Sequence, residues 1–453
     1  MFVKINACLT RSTIVAALGG LLFGFDTAVI SGTTGQLESV FDLTQNGLGF
    51  TVASALIGTI LGSIVVSRPS DVFGRRTVLI WLAVFYTVSA IGCGLAWDWT
   101  SLLFFRFLGG IGVGGASVVS PMYIAEISPA KIRGFLVCTQ QFNVCFGICL
   151  AYVSNYAVAG SPWIAEADQW RWMFGVEAVP AALFFLMLFT IPRSPRWLIE
   201  KQRIDEACEV FTQLGAEDVE AEIAEVVESL HEQFDVAHES LFQTKYSFPI
   251  MAAVALAAFN QFTGINALLY YAPKVFTMGG SDSSMALLQS IPVGITLVIS
   301  TAIGMALMDK FGRKSLLMVG SVGMVAFLAM VAWKFYTIGD AENVGQEIMA
   351  YFIGYILFFG FSQGAVIWVF ISEIFPNKVR AKGQALGSFT HWAMAALVSY
   401  TFPIAAATSW IGPANCFAFF SVMMIAHFLF VWLVLPETKG ISLERIQKQL
   451  GID

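Results

Sequence analysis

Apolar residues run through this chain in long, nearly unbroken blocks, without the two-residue alternation of a half-buried strand. Twelve blocks stand out, at 12–33, 47–67, 77–97, 101–124, 134–157, 171–191, 248–273, 285–307, 315–336, 348–371, 382–405 and 413–435. Each holds about 20 residues, the length that carries an α-helix across a ~30 Å hydrocarbon core. The pattern predicts an all-α membrane protein of twelve transmembrane helices. The amino end, "MFVKINACLTRSTIVAALGG", has the basic-then-apolar order of a signal peptide. It offers no small-residue cleavage site and its apolar run continues through Asp26, so it reads as a retained first span.

One long stretch breaks the pattern. Between Ser194 and Lys245, "DEACEVFTQLGAEDVEAEIAEVVESL" sets apolar residues at helical spacing among carboxylates, which predicts short amphipathic helices outside the membrane. The chain then divides into a six-span bundle (1–193), a linker (194–245), a second six-span bundle (246–435) and a tail (436–453).

Composition agrees: 57% of residues are apolar and 12% charged, against about a quarter charged in soluble domains. The net charge of −6 is local in origin, because the linker holds 13 acidic and four basic residues, a balance of −9 that leaves +3 elsewhere. With the amino terminus inside the cell, 21 of the 25 Lys and Arg fall at cytoplasmic positions, as the positive-inside rule expects. The exceptions are Arg106, Arg171, Lys274 and Lys334. Both termini are therefore expected in the cytoplasm.

Several activities find no support. The seven cysteines have no CxxC spacing and read as packing residues. No Gly-Lys dipeptide occurs, so the GxxxxGK[ST] loop of a nucleotide-driven pump is missing. His231 and His238 lie in the linker, while His391 and His427 stand isolated in different spans, with no nucleophile–base or metal-ligand spacing. Neither an enzyme, a metal, a cofactor nor a nucleic-acid partner is expected.

The two bundles repeat each other. "DVFGRR" at Asp71 returns as "DKFGRK" at Asp309, "EISPAKIRG" at Glu126 as "EIFPNKVRA" at Glu373, and "PRSPR" at Pro192 more weakly as "PETKG" at Pro436, at offsets of 238, 247 and 244 residues. Each motif falls at the cytoplasmic end of corresponding spans. Carboxylates and guanidinium groups so placed can form bidentate pairs, or simply anchor helix ends. Their duplication favours a cytoplasmic gate made of Asp71, Arg75, Arg76, Glu126 and Arg133 in one half and Asp309, Arg313, Glu373 and Arg380 in the other. Two six-helix halves flanking a midmembrane site is a common build for secondary transporters.

Three charges sit inside the first bundle. At ~1.5 Å per residue, Asp26 lies roughly 21 Å from the inner boundary and Arg106 roughly 8 Å from the outer one, one level in a ~30 Å core; Glu177 shares it. Intramembrane charges are expensive and mark pathways or partners. Asp26 reads as the coupling-proton site, Arg106 as its competitor and Glu177 as their modulator, with a permanent structural ion pair as the other reading.

"GGLLFGFDTAVISG", "RFLGGIGVGGASVVSPMYIAEISPAKIRG", "DKFGRK", "NQFTGINALLYYAP", "WVFISEIFP" and "PETKG" resemble the sugar porters of the major facilitator superfamily, especially bacterial proton-coupled xylose and related sugar symporters. The resemblance spans nearly the whole chain. It implies a twelve-helix fold, a monosaccharide substrate, a likeness at Asp26, Arg106 and Glu177 to proton-coupled members, and a monomer in the plasma membrane, here a bacterial inner membrane. A facilitative uniporter is the alternative, and a transporter-like sugar sensor a third reading.

Sugar hydroxyls suit amides, which donate and accept at once, and sugar C–H faces suit aromatic rings. The resemblance places Gln141, Gln261, Asn266, Trp368 and Trp392 at the sugar, with Phe23 just before Asp26, and Tyr270 and Tyr271 at an extracellular gate. Four departures leave the sugar's identity open: Asn260 for the first Gln of a Gln-Gln pair, Thr296 for an Asn, His391 for a Gln or Asn, and "GAVIW" for the usual GPxxW. His391 has three open readings: a hydrogen bond to the sugar, titration near neutral pH, or packing. At the gate, Val72 stands for a basic residue and Arg193 for the Glu of "PESPR".

Overall fold

The protein's structure, a computed structural model, describes residues 6–129, 132–216, 218–236, 239–337, 344–376 and 378–439. The tail beyond 439 lies outside the described residues, as does the side chain of Asp309.

Among the described residues, eleven helical segments are long and apolar enough to cross a membrane: Ala7–Gly32, Gln45–Val65, Arg75–Gly94, Trp99–Ile127, Arg133–Ala159, Glu166–Thr190, Thr244–Met278, Ser283–Met308, Arg313–Thr337, Gly345–Ile374 and Gly412–Leu433. The 28-residue helix Arg380–Ala407 lies between the last two. Its polar residues, among them Lys382, Thr390 and His391, dilute its hydropathy, yet it has the length of its neighbours. It is the eleventh span, and the chain is a multi-pass membrane protein of twelve. Between the sixth and seventh spans run Pro195–Glu200, Ile204–Leu214 and Val219–Val236.

The Arg- and Lys-rich motifs gather at one end of the bundle, called here the basic end. At the opposite, far end, the second, fourth and eighth spans begin on Thr44, Asp98 and Asp282, each accepting a hydrogen bond from the backbone N–H three residues on. These caps satisfy donors that a helix start leaves open.

The two halves of the chain meet where the second span packs on the eleventh, the fifth on the eighth, and the first on the seventh. Gly49 permits one approach: an added Cβ would sit 2.4 Å from the carbonyl oxygen of Tyr400. Small residues at such crossings let backbones touch, because between helices in lipid it is packing, not hydrophobicity, that holds them.

Three spans are broken near their middles. In the sixth, Pro180 offers no N–H to the preceding turn, and the helix interrupts at Glu177 between Gln169–Val176 and Ala178–Met187. In the seventh, Gly264 adopts a left-handed φ of 81° between Ser247–Phe262 and Ile265–Met278, a conformation that glycine enters without the Cβ penalty. In the tenth, a π-helical turn, Gly360–Gly364, separates Gly345–Phe359 from Ala365–Ile374. Such turns frequently sit at functional sites.

Candidate sugar and proton sites

Asp26 and Arg106 meet in the first half. Arg106 Nη1 donates to Asp26 Oδ1 at 2.7 Å, and the guanidinium lies 5.5 Å from the centre of the Phe174 ring. Both residues and Glu177 are at most 3% exposed. Glu177 interacts electrostatically with the pair, but its Oε1 has no hydrogen-bond partner, nor do Arg106 Nε and Nη2 or the nearby Tyr86 hydroxyl. The ion pair is thus single-pronged, with spare donors on the arginine and a spare acceptor on the second carboxylate. With both acids ionised the cluster carries −1, and one proton makes it neutral.

A second cluster fills the first half's boundary with the second. The break at Gly264 leaves Asn260 and Gln261 at the end of one half-helix and Asn266 at the start of the next. Asn266 Nδ2 donates to Gln261 Oε1 at 2.8 Å, and Gln261 Nε2 donates to Asn260 Oδ1 at 3.1 Å. Gln261 Nε2 also lies 3.2–3.3 Å from the ring nitrogens of His391. The His391 ring packs between Trp368 and Trp392, with centroids 4.8 and 4.9 Å away. Phe23, one turn from Asp26, reaches Trp392 at 5.3 Å. Tyr270 lies against Thr27, the residue after Asp26. Of the sequence-predicted sugar residues, the structure brings seven together: Phe23, Asn260, Gln261, Asn266, Trp368, His391 and Trp392. Gln141 and Thr296 hydrogen-bond elsewhere, to Cys145 Sγ at 3.8 Å and to Pro292 O at 2.8 Å.

The expected isolation of the two membrane histidines does not hold. Asn260 Nδ2 donates to Gln363 Oε1 at 3.2 Å, and Gln363 Nε2 stands 2.9 Å from His427 Nε2. His427 therefore joins the amide cluster through Gln363, which the π turn carries. A sequence gives no periodic signal for a contact between the tenth and twelfth spans, so this pair was not legible in it.

At the far end, the halves are tied together. Lys274 Nζ donates to Glu38 Oε1 at 2.7 Å and to Gln45 Oε1 at 3.1 Å, and the Tyr152 hydroxyl donates to Leu269 O at 2.9 Å. Tyr271 donates to Ser399 O at 2.9 Å, inside the second half.

At the basic end, the pairs described join residues of one half. Arg75 bonds Glu126 at 2.9 Å and Asp71 at 3.3 Å, and the Ser194 hydroxyl donates to Glu126 Oε2 at 2.5 Å. The second half repeats the arrangement, with Arg313 on Glu373 at 2.8 Å and the Thr438 hydroxyl on Glu373 Oε2 at 2.6 Å. The weak third repeat thus aligns a hydroxyl pair, Ser194 and Thr438. Arg76, expected in the gate, donates instead to Leu188 O and Phe189 O, at 3.0 and 3.1 Å; Lys314 does the same for Trp432 O at 2.9 Å. Each cation closes the end of the last span of its half, where free carbonyls favour positive charge. Arg133 is exposed and faces Glu222 of the linker. Burial, with Glu225 adding to it, raises the Glu222 carboxyl above its usual range despite Arg133. Arg380 begins the eleventh span at this end. Burial likewise raises Asp71, outweighing the pull of Arg75. Val72 is exposed, and the Arg193 guanidinium lies 5.5 Å from the Trp197 ring centre.

Residues 12–450 match the family described as sugar (and other) transporter. The chain belongs to this family. A D-xylose-proton symporter of Escherichia coli is 39% identical over 96% of this chain and 94% of its own length, and an arabinose-proton symporter of Bacillus subtilis 36% identical over 96% and 93%. Among solved structures, the xylose transporter of E. coli in a partially occluded inward-open conformation superposes with a TM-score of 0.85, at 37% identity over 96% of this chain and all of the other. Membership of a transporter family fits a chain in which buried polar clusters occupy the broken helices.

Proposed function

We propose that this sugar transporter family member imports a monosaccharide, a pentose or hexose, together with one proton by alternating access. The observation that carries the reading is the buried Asp26–Arg106–Glu177 cluster, which one proton neutralises, set one helical turn from an aromatic and amide pocket. Asp26 holds the proton, Arg106 competes with it and Glu177 balances the pair. Asn260, Gln261, Asn266 and His391 meet sugar hydroxyls, with Gln141 and Thr296 joining from the fifth and eighth spans, while Trp368, Trp392 and Phe23 cover its C–H faces. Tyr270 and Tyr271 close the far side, and the twin Arg–Glu clusters, with Asp309, Arg133 and Arg380, govern the basic side. The basic end faces the cytoplasm with both termini, in the plasma membrane of a bacterium, and the protein works as a monomer. Its units are the bundles 1–193 and 246–435, the linker 194–245 and the tail from 436. One charge crossing with ~100 mV gains about 2.3 kcal/mol, enough for roughly fifty-fold accumulation of a neutral solute.

A facilitative uniporter is the second reading, favoured by the closed 2.7 Å pair between Arg106 and Asp26. External pH around de-energised proteoliposomes decides. Alkalinisation on adding D-xylose, D-glucose, D-galactose or L-arabinose identifies sugar and symport together. A sugar that exchanges by counterflow with no pH change sinks the proton coupling.

A further inference from the structure

The hydrogen bonds that begin at the pocket continue out of it, and their direction can be worked out atom by atom. At the outer end, the Ser321 hydroxyl donates to Leu317 O at 2.7 Å, so its oxygen is left to accept. His427 Nδ1 lies 2.7 Å from that oxygen and carries the proton. A neutral imidazole protonated at Nδ1 has a bare Nε2, which accepts from Gln363 Nε2. Gln363 then shows its Oε1 to Asn260 Nδ2, and Asn260 its Oδ1 to Gln261 Nε2. Every amide in this row of hydrogen bonds is fixed in one of its two orientations by its neighbour, starting from His427. Ser321, Gln363, His427, Asn260 and Gln261 are all buried, so no solvent offers an alternative partner, and a reversed amide would set donor against donor.

From this we infer that His427, two residues removed from the pocket and outside any contact with the sugar, is a positioning residue for sugar specificity. It orders Gln363, and through it Asn260 and Gln261, so that Gln261 spends its two N–H groups on Asn260 and His391 and keeps a lone pair of Oε1 beside the one Asn266 uses. Gln261 Nε2 lies 3.2–3.3 Å from both ring nitrogens of His391, which places it against the face of the imidazole. The pocket therefore presents acceptors at Gln261 Oε1 and Asn266 Oδ1. A site built to meet particular hydroxyls rejects analogues lacking them, since its own groups are then left unpaired. The Ser321–His427–Gln363 anchor deepens the proposed function by stating what tunes the choice of sugar, and rests on that reading.

The test measures binding of the transported sugar and of its deoxy analogues, by tryptophan fluorescence of the purified full-length protein. The double substitution His427→Leu with Gln363→Leu replaces the anchor by apolar groups and takes from Asn260 Nδ2 the acceptor that fixes its orientation. It is expected to weaken sugar binding on the order of tenfold, the worth of about one misdirected hydrogen bond, and to bring the sugar and its worst-binding deoxy analogue to nearly equal affinity. The single variant His427→Gln, which can both accept from Gln363 and donate to Ser321, is expected to retain the discrimination. Discrimination unchanged in the double variant overturns the inference, as does its loss in the single variant His427→Gln. Independently of any sugar, 15N-labelled histidine spectra are expected to show His427 neutral with the proton on Nδ1; a proton on Nε2 reverses the row of hydrogen bonds and overturns the inference even if sugar is transported. Wild-type protein that binds no monosaccharide sinks the proposed function and the specificity role with it, and this is seen before any variant is made.

Discussion

Lys274 Nζ lies 2.7 Å from Glu38 Oε1, a bond between the seventh span and the short helix Thr34–Val40 that follows the first. It joins the two halves at the far end only, so it favours the conformation closed there. Both side chains are partly exposed, which limits the pair to about 0.2–1 kcal/mol. Lys274→Met is expected to raise the population open at the far end by less than about fivefold. Spin labels at exposed Ser39 and Thr277 check this: a distance distribution unchanged from the parent would mean the bond does not bias the equilibrium.

Arg106 balances two buried carboxylates. Arg106→Leu leaves both without a cation, and breaking a buried pair from one side costs about 3–5 kcal/mol. A large fall in Tm, or loss of folded protein, is expected. Adding Asp26→Asn removes one of the stranded charges and is expected to recover much of the stability, while concentrative uptake stays lost. A double variant no more stable than Arg106→Leu would argue that packing, not charge, is the arginine's contribution.

The start of the ninth span is capped by Glu437, which accepts from the N–H groups of Arg313 and Lys314 at 2.9 and 3.1 Å. Its counterpart in the first half is Arg193, which the helix start at Arg75 cannot use. Negative charge is favoured at a helix N-terminus. Arg193→Glu should therefore stabilise the protein by roughly 0.5–1 kcal/mol, and Glu437→Arg should destabilise it by a similar amount. Thermal unfolding in one detergent compares them, and a fall in Tm for Arg193→Glu would refute the symmetry argument.

Gly264 combines a positive φ with a tight contact: a Cβ there would lie 2.4 Å from the Phe420 ring. Gly264→Ala is expected to cost more than ~1 kcal/mol of stability and to weaken sugar binding, because Gln261 and Asn266 flank the break. Normal affinity with lowered Tm would separate the fold's need for this glycine from the site's.

Much of this was open to view in the sequence. Hydrophobic block length gave twelve spans, the eleventh among them despite its polar residues. Charge counting left four misplaced cations, and each has found a reason: Arg106 on Asp26, Lys274 on Glu38, Lys334 on Glu347, and Arg171 donating to Gly94 O and Ala96 O. Depth arithmetic put Asp26, Arg106 and Glu177 in one layer, since rise per residue is constant along a straight helix. What stayed hidden depends on helix rotation and on breaks. The capping by Arg76 and the link from Asn260 through Gln363 to His427 need the azimuth of each span and the π turn, which no linear spacing encodes.

The twin clusters at the basic end have a mechanical side. Arg75 with Glu126 and Ser194, and Arg313 with Glu373 and Thr438, each rivet three loops of one bundle together, while Arg76 and Lys314 pin the sixth and twelfth spans to the same plates. A rocking machine wastes motion if its arms flex. With both arms braced at the same edge, bending is left to the joints that glycine, proline and the π turn have already weakened, and those joints carry Glu177, the Gln261–Asn266 pair and Gln363.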